Sequence, residues 1–138
     1  MITDLEKIKK YLQAVKIKPT YLRIRLLKYL LEKKNHPTGK MIYQALKKEL
    51  PTISLTSIYN NLELFAKKGL VKILLLDPKE IRFDGEKGHH HFFCEKCQKI
   101  IDLPIDCNLI KKKKIFGHLI KDWDGYFFGI CKDCQRDG

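Results

Sequence analysis

Two Cys-x-x-Cys pairs, Cys94-Glu95-Lys96-Cys97 and Cys131-Lys132-Asp133-Cys134, stand 33 residues apart near the C-terminus of a 138-residue chain. Each pair brings two sulfurs to one point from a tight turn, and two pairs complete the tetrahedral four-cysteine set of a structural Zn²⁺ site. Compact ribbons separate their pairs by roughly 15–20 residues, so the longer gap here means that the metal staples elements distant in sequence. Disulfides are the alternative, but they need an oxidising compartment, and Met1-Ile2-Thr3-Asp4-Leu5-Glu6 has neither the basic nor the apolar segment of a secretion signal. A thioredoxin-like redox pair would need only one such motif, beside a βαβ pattern. The spacing therefore points to zinc on Cys94, Cys97, Cys131 and Cys134 in a cytoplasmic protein. Cys107 stands outside the pairs and reads as a small buried hydrophobe.

A chain of this length makes one ordinary domain or two small ones. Its longest apolar run, Ile73-Leu74-Leu75-Leu76, is strand-sized and far short of the roughly 18 residues of a membrane span. Charge is unevenly spread: residues 1–84 hold 18 basic and 8 acidic side chains, a balance of +10, whereas residues 85–138 hold 10 and 8, only +2. Four thiolates on one Zn²⁺ would bring the second part to about zero. The first part is suited to a polyanion, although a lysine-rich surface that only confers solubility gives the same sum.

Apolar residues recur at helical spacing in four successive segments. Leu5, Ile8, Leu12 and Val15 follow a cap at Thr3 or Asp4; Leu22, Leu26, Leu27, Leu30 and Leu31 follow Pro19-Thr20 and end near Asn35-His36-Pro37. Thr38 caps a third helix with Ile42, Leu46 and Leu50, and Ser54 a fourth with Leu55, Ile58, Leu62, Phe65 and Ala66, stopped by Gly69. Two β-prone runs, Leu70–Leu76 and Ile81–Phe83, then flank the turn Asp77-Pro78-Lys79-Glu80. Helices followed by a hairpin are the plan of a winged helix-turn-helix domain. The polar linker Asp84-Gly85-Glu86-Lys87-Gly88 coincides with the change in charge and sets a boundary, with a winged-helix DNA-binding domain over 1–84 and a dimerisation and metal-binding domain over 85–138. In the latter, strands are expected at His91–Phe93, Lys99–Leu103, Leu119–Ile120 and Tyr126–Ile130, and a Lys-rich helix over about Asn108–Phe116 whose Lys111–Lys114 run is a solvated face or, alternatively, a nucleic-acid patch. The fold class is α+β.

The fourth helix reads Ser54-Leu55-Thr56-Ser57-Ile58-Tyr59-Asn60-Asn61-Leu62. With Leu55, Ile58 and Leu62 turned inward, Thr56, Ser57, Tyr59, Asn60 and Asn61 face outward from the first turns, where a recognition helix meets base edges. A second constellation is His89-His90-His91, with Asp84 before it, Asp102 after the first cysteine pair and His36 far upstream. On an extended strand His89 and His91 share a side and His90 faces away. Three imidazoles and two carboxylates suit Fe²⁺, Mn²⁺ or Zn²⁺. A solvated histidine cluster is the other reading.

Over nearly its whole length the sequence resembles the ferric uptake regulator family of bacterial metal-dependent repressors. The likeness lies in Thr20-x-x-Arg23, His36-Pro37-Thr38, Ser57-Ile58-Tyr59-Asn60-Asn61-Leu62, Gly69-Leu70-Val71, Arg82-Phe83-Asp84, the run from His89 to Cys97 and Gly129-x-Cys131-x-x-Cys134. Asn60, where iron-uptake regulators usually carry Arg, and Asp102, where they usually carry Glu, make it similar to the peroxide-sensing branch. The resemblance implies a homodimer on palindromic operator DNA, structural zinc on the four cysteines, and a regulatory Fe²⁺ or Mn²⁺ on His36, Asp84, His89, His91 and Asp102. It further implies that peroxide oxidises His36 or His89 when iron is bound, and that Arg23 joins the helix-four residues in contacting DNA. Two departures stand out. Gly88, Leu109 and Trp123 occupy places where some members bind a third metal, and Tyr21-Leu22 replace the usual Pro-Gln before Arg23. Iron- or zinc-responsive control of uptake is the neighbouring alternative. A zinc-dependent hydrolase built on His89 and His91 is a distant one, since it leaves the basic half unexplained.

Overall fold

The structure, a computed structural model, describes residues 5–85, 89–105 and 108–136, so Cys107 and the cap expected at Thr3 or Asp4 lie outside the described residues. Two compact units divide the chain, Met1–Lys87 and Gly88–Gly138. The first carries α1 (Leu5–Ala14), α2 (Tyr21–Glu32), α3 (Gly39–Lys47), α4 (Leu55–Lys67), β1 (Lys72–Leu74) and β2 (Arg82–Asp84). The second carries β3 (His90–Cys94), β4 (Ile100–Leu103), a 3-10 turn (Asn108–Lys111), β5 (Lys114–Ile115), β6 (His118–Leu119), β7 (Tyr126–Gly129) and α5 (Lys132–Gln135).

Three of the helices in the first unit start where hydroxyl caps allow it. Thr20, Thr38 and Ser54 each accept a hydrogen bond from the backbone N–H three residues on, at 3.3, 3.2 and 3.0 Å, which satisfies a donor that the helix itself leaves orphaned. The apolar stripes of α1 to α4 close on one core of Ile8, Leu12, Leu26, Leu27, Leu30, Ile42, Leu46, Ile58, Leu62 and Phe65. The β1–β2 hairpin, in antiparallel register with Ile73 opposite Phe83, adds Val71 and Phe83 to that core. Phe83 also donates its backbone N–H to the Pro37 carbonyl at 2.9 Å, so the wing is tied to the loop between α2 and α3.

In the second unit β3 is the middle strand of the order β4-β3-β7, antiparallel to β4 and parallel to β7. Parallel pairing explains the long gap between the cysteine pairs. A parallel neighbour requires a crossover of a dozen or more residues, and it brings Cys94 alongside Gly129, so both Cys-x-x-Cys turns leave the same end of the sheet. The Lys-rich helix expected over Asn108–Phe116 does not form: a 3-10 turn ends at Lys111, and the β5–β6 hairpin pairs Lys114 with Leu119 and Ile115 with His118. On a helix Lys111 and Lys114 would be like charges one turn apart, an unfavourable pair. Phe116 and Gly117 both take positive φ, 50° and 82°, the two-residue turn that suits the twist of a hairpin.

Helices α1 and α4 end in the same hydrogen-bond pattern with different residues. Ile17 N–H reaches Leu12 O at 2.9 Å and Lys16 N–H reaches Gln13 O at 3.0 Å; Leu70 reaches Phe65 at 2.8 Å and Gly69 reaches Ala66 at 3.0 Å. This is the Schellman closure, whose C′ residue is left-handed, here Lys16 at φ 62° and Gly69 at φ 79°. A side chain in that region costs about 1 kcal/mol that glycine avoids. Lys16→Gly should therefore stabilise the first unit and Gly69→Ala destabilise it, each by about 1 kcal/mol, visible as opposite shifts of the urea midpoint.

Candidate functional site

The four paired cysteines converge. Cys94 Sγ lies 3.8 Å from Cys134 Sγ and Cys97 Sγ 3.9 Å from Cys131 Sγ, and all four sulfurs fall within 4.8 Å of one another. The backbone N–H groups of Cys97 and Cys131 donate to Cys94 Sγ at 3.5 and 3.4 Å; these donors lower its thiol to about 6. Cys134 is pushed up to about 12, by its contact with the Cys131 sulfur first, then by burial and the sulfurs of Cys97 and Cys94. One sulfur is prepared as a thiolate, and the last ionises only if a cation offsets the crowded negative charge. An all-sulfur set of this kind fits Zn²⁺.

On the other side of the same strand lies a harder donor set. In the β3–β4 register His91 sits directly opposite Asp102, and His89, two residues before His91, shares its face. His89 Nε2 is 3.0 Å from His91 Nε2 and 3.1 Å from Asp102 Oδ1, which is 3.4 Å from His91 Nε2. Two imidazole nitrogens and a carboxylate oxygen meeting at these separations are donors suited to Fe²⁺, Mn²⁺ or Zn²⁺. His90 points away, as strand alternation requires: it is buried against Trp123 at 4.8 Å and Phe127 at 5.6 Å between ring centroids. Trp123, which stands where a third-metal ligand falls in some relatives, is thus an aromatic neighbour of His90.

The first unit holds a two-residue set. His36 lies in the α2–α3 loop and Asp84 ends β2; both are buried, and His36 Nε2 is 3.7 Å from Asp84 Oδ2. His36 takes a left-handed backbone, φ 50°, with its carbonyl held by Arg82 Nη1 at 3.3 Å. Arg82 in turn donates to Asp77 at 3.1 Å. Burial raises the Asp77 pKa, but the Lys79 N–H and the Arg82 guanidinium outweigh it, and the carboxyl is held below its ordinary value. Sequence reasoning assigned Arg82 and Asp77 only to the likeness motif and to a turn; a buried acid in a wing loop is a tertiary fact.

Residues expected to meet DNA fall into two groups. Thr56 and Asn60 are exposed on α4 and Ser57 is half-buried. Tyr59 is not simply outward: it packs against the core, and a side chain at Gly39 would collide with its ring. Asn61 accepts from Arg23 Nε at 2.9 Å and donates to the Ser57 carbonyl at 2.8 Å, while Arg23 Nη1 donates to the Lys18 carbonyl at 3.1 Å. Arg23 and Asn61 therefore bind each other. The face of α4 places Asn61 and the family resemblance places Arg23, and neither reveals the α2–α4 contact between them.

The model of the ferric uptake regulator family matches residues 14–119. The chain belongs to the ferric uptake regulator family. It is 35% identical over 141 residues to the peroxide-responsive repressor PerR of Staphylococcus epidermidis, covering 98% of this chain and 93% of that one. Among solved structures it resembles the peroxide stress regulator of Campylobacter jejuni, with 31% identity, a TM-score of 0.72 and coverage of 94% and 98% of the two chains. The ferric uptake regulator of Pseudomonas aeruginosa, solved with manganese, shares the fold with a TM-score of 0.75 at 22% identity and coverage of 96% and 99%. Members of the ferric uptake regulator family are DNA-binding transcriptional regulators that work as dimers and are not enzymes, which sets the hydrolase alternative aside. A winged helix-turn-helix domain and a dimerisation domain are the family's two parts. No helix among the described residues is long and apolar enough to cross a membrane.

For a regulator of this family the four-cysteine cluster has a direct stability consequence. Structural zinc contributes on the order of 10 kcal/mol to folding in small modules. Cys94→Ser and Cys131→Ser should each lose zinc, measured by elemental analysis, and lower the melting temperature of the second unit. Retained zinc with unchanged melting in either variant would refute the assignment of zinc to these four sulfurs.

Proposed function

We propose that this protein is a cytoplasmic, homodimeric, metal-dependent repressor that binds palindromic operator DNA and senses peroxide. The observation that carries the reading is the donor set: His89, His91 and Asp102 in one unit and His36 with Asp84 in the other, each set drawn together within its own unit. We assign both sets to the same regulatory Fe²⁺ or Mn²⁺. Only four residues separate Asp84 from His89, a reach of at most about 18 Å for extended chain, so one ion shared by both sets is within the linker's span. A shared ion ties the DNA-reading domain proposed over residues 1–84 to the dimerisation domain proposed over residues 85–138, and favours the arrangement that binds DNA. Iron at such a site supplies one-electron reduction of peroxide, which manganese does not.

The residues divide the remaining work. Thr56, Ser57, Tyr59, Asn60 and Asn61 present short polar groups and one aromatic from α4 to base edges, and Arg23, bonded to Asn61, contacts the DNA beside them. The basic first unit supplies phosphate attraction. Large apolar side chains left exposed on the second unit, among them Phe127, Phe128, Leu119 and Ile130, support a second copy as partner. The peroxide branch is supported by Asp102 and Asn60 and by the relatives named as peroxide-responsive. His36 and His89 are the imidazoles assigned to oxidation.

The deciding experiment compares metals. Fe²⁺-loaded protein in micromolar-range peroxide should gain about one oxygen atom on His36 or His89, read by peptide mass spectrometry, and release DNA, whereas Mn²⁺-loaded protein should do neither. If iron-loaded protein keeps its operator and only cysteines are oxidised, iron- or zinc-responsive repression replaces the peroxide reading. On the DNA side, Asn60→Ala should weaken specific binding by about 1–3 kcal/mol with unchanged melting. Tyr59→Ala should lose binding and stability together, because its ring also packs on α3.

A further inference from the structure

Arg82 and Asp84 lie two residues apart on β2, so their side chains leave the strand on one face. Both meet the same residue: the Asp84 carboxylate is beside the His36 ring, and the Arg82 guanidinium grips the His36 backbone carbonyl. His36 needs such a grip, since φ 50° is a region a residue with a side chain adopts only when its surroundings hold it there. A second hydrogen bond, Phe83 N–H to Pro37 O at 2.9 Å, fixes the next residue of the loop. Arg82 is itself held, by Asp77 Oδ2 at 3.1 Å and in contact with Met41 Sδ at 3.8 Å. Asp77 is buried, 9% exposed, and its other oxygen accepts the Lys79 backbone N–H at 2.9 Å.

We infer that Arg82, braced by Asp77, is a positioning residue for the regulatory metal: it holds the His36 backbone in the conformation that aims the imidazole beside Asp84. This rests on the assignment of His36 and Asp84 to that metal. Arg82 touches no ion and acts only through His36. The reason for an arginine is its planar fork, which reaches a carboxylate and a carbonyl at once; a lysine offers one point charge and holds one of them well. Groups that orient metal ligands change affinity by 10–100-fold when removed. The link also joins the His36 loop to the tip of the wing, because Asp77 anchors Lys79 as well as Arg82.

The test uses full-length, zinc-loaded protein titrated with Mn²⁺, followed by loss of the free-ion electron paramagnetic resonance signal. Arg82→Met should bind Mn²⁺ about tenfold or more weakly while keeping its zinc and remaining folded without Mn²⁺, at a lower melting temperature because Asp77 loses its partner. Arg82→Lys should recover part of the loss. Asp77→Asn should weaken binding in the same direction, and the double variant Arg82→Met with Asp77→Asn should lose no more than Arg82→Met does, since the two act through one link. Wild-type Mn²⁺ affinity in Arg82→Met overturns the inference, as does additive loss in the double variant. If Arg82→Met fails to fold, unchanged affinity in Asp77→Asn overturns it instead. His36→Ala separates the two levels: if it loses Mn²⁺ and Arg82→Met does not, the clamp is wrong and the regulatory site stands, whereas undiminished binding in His36→Ala removes both.

Discussion

Four cysteine sulfurs meeting at one point do for the second unit what an apolar core does for the first. In the first unit the core runs from Ile8 to Phe83 through every helix. In the second, the buried apolar residues among those described are Phe93, Cys94 and Cys131, while Ile105, Leu109, Phe116, Leu119, Phe127, Phe128 and Ile130 are exposed. A segment of about fifty residues buries too little surface to hold itself together without metal, disulfides or a partner. The crowding of the sulfurs supplies the reason for metal: Cys94 is readied as a thiolate, Cys134 resists ionising, and a dication reconciles the two.

Everything functional in the second unit then follows from where the sheet places its ends and faces. Because β3 and β7 run parallel, their C-terminal ends carry the two cysteine turns side by side. Because strand residues alternate, the same β3 that ends in Cys94 sends His91 to one side and His90 to the other. The register that sets His91 across from Asp102 is decisive for the harder donor set. A slip of one residue would turn Asp102 to the opposite face. The first unit uses the same rule on a shorter strand, where Arg82 and Asp84 share a face of β2 and both reach His36. Period-two geometry thus sets the facing of His89, His91 and Asp102 and of Asp84, while His36 comes from a loop and Cys134 from α5.

The Lys111–Lys114 run ends in a short hairpin with Phe116 at its tip, 98% exposed, instead of a helix. Trp123 packs on His90, so that an aromatic contact covers the side of the histidine run opposite His89 and His91.

Local rules carried much of the structure into the sequence. The four helices, the caps at Thr38 and Ser54, the stop at Gly69, the wing hairpin and the grouping of the four cysteines all depend on neighbours a few residues apart or on donor chemistry that admits one metal class, and they were legible there. The proposed ligand set His36, Asp84, His89, His91 and Asp102 was picked out as residue types and through family likeness, because coordination chemistry restricts which side chains serve. What only the tertiary structure decided are the pairings between elements: the parallel β3–β7 match, the Arg23–Asn61 bond between α2 and α4, Tyr59 lying over Gly39, and Arg82 bridging Asp77 to the His36 carbonyl. Each of these joins residues that no period relates, and a hydrogen bond across tens of residues depends on how two elements cross, which is set by the packing of the whole core and not by either segment alone.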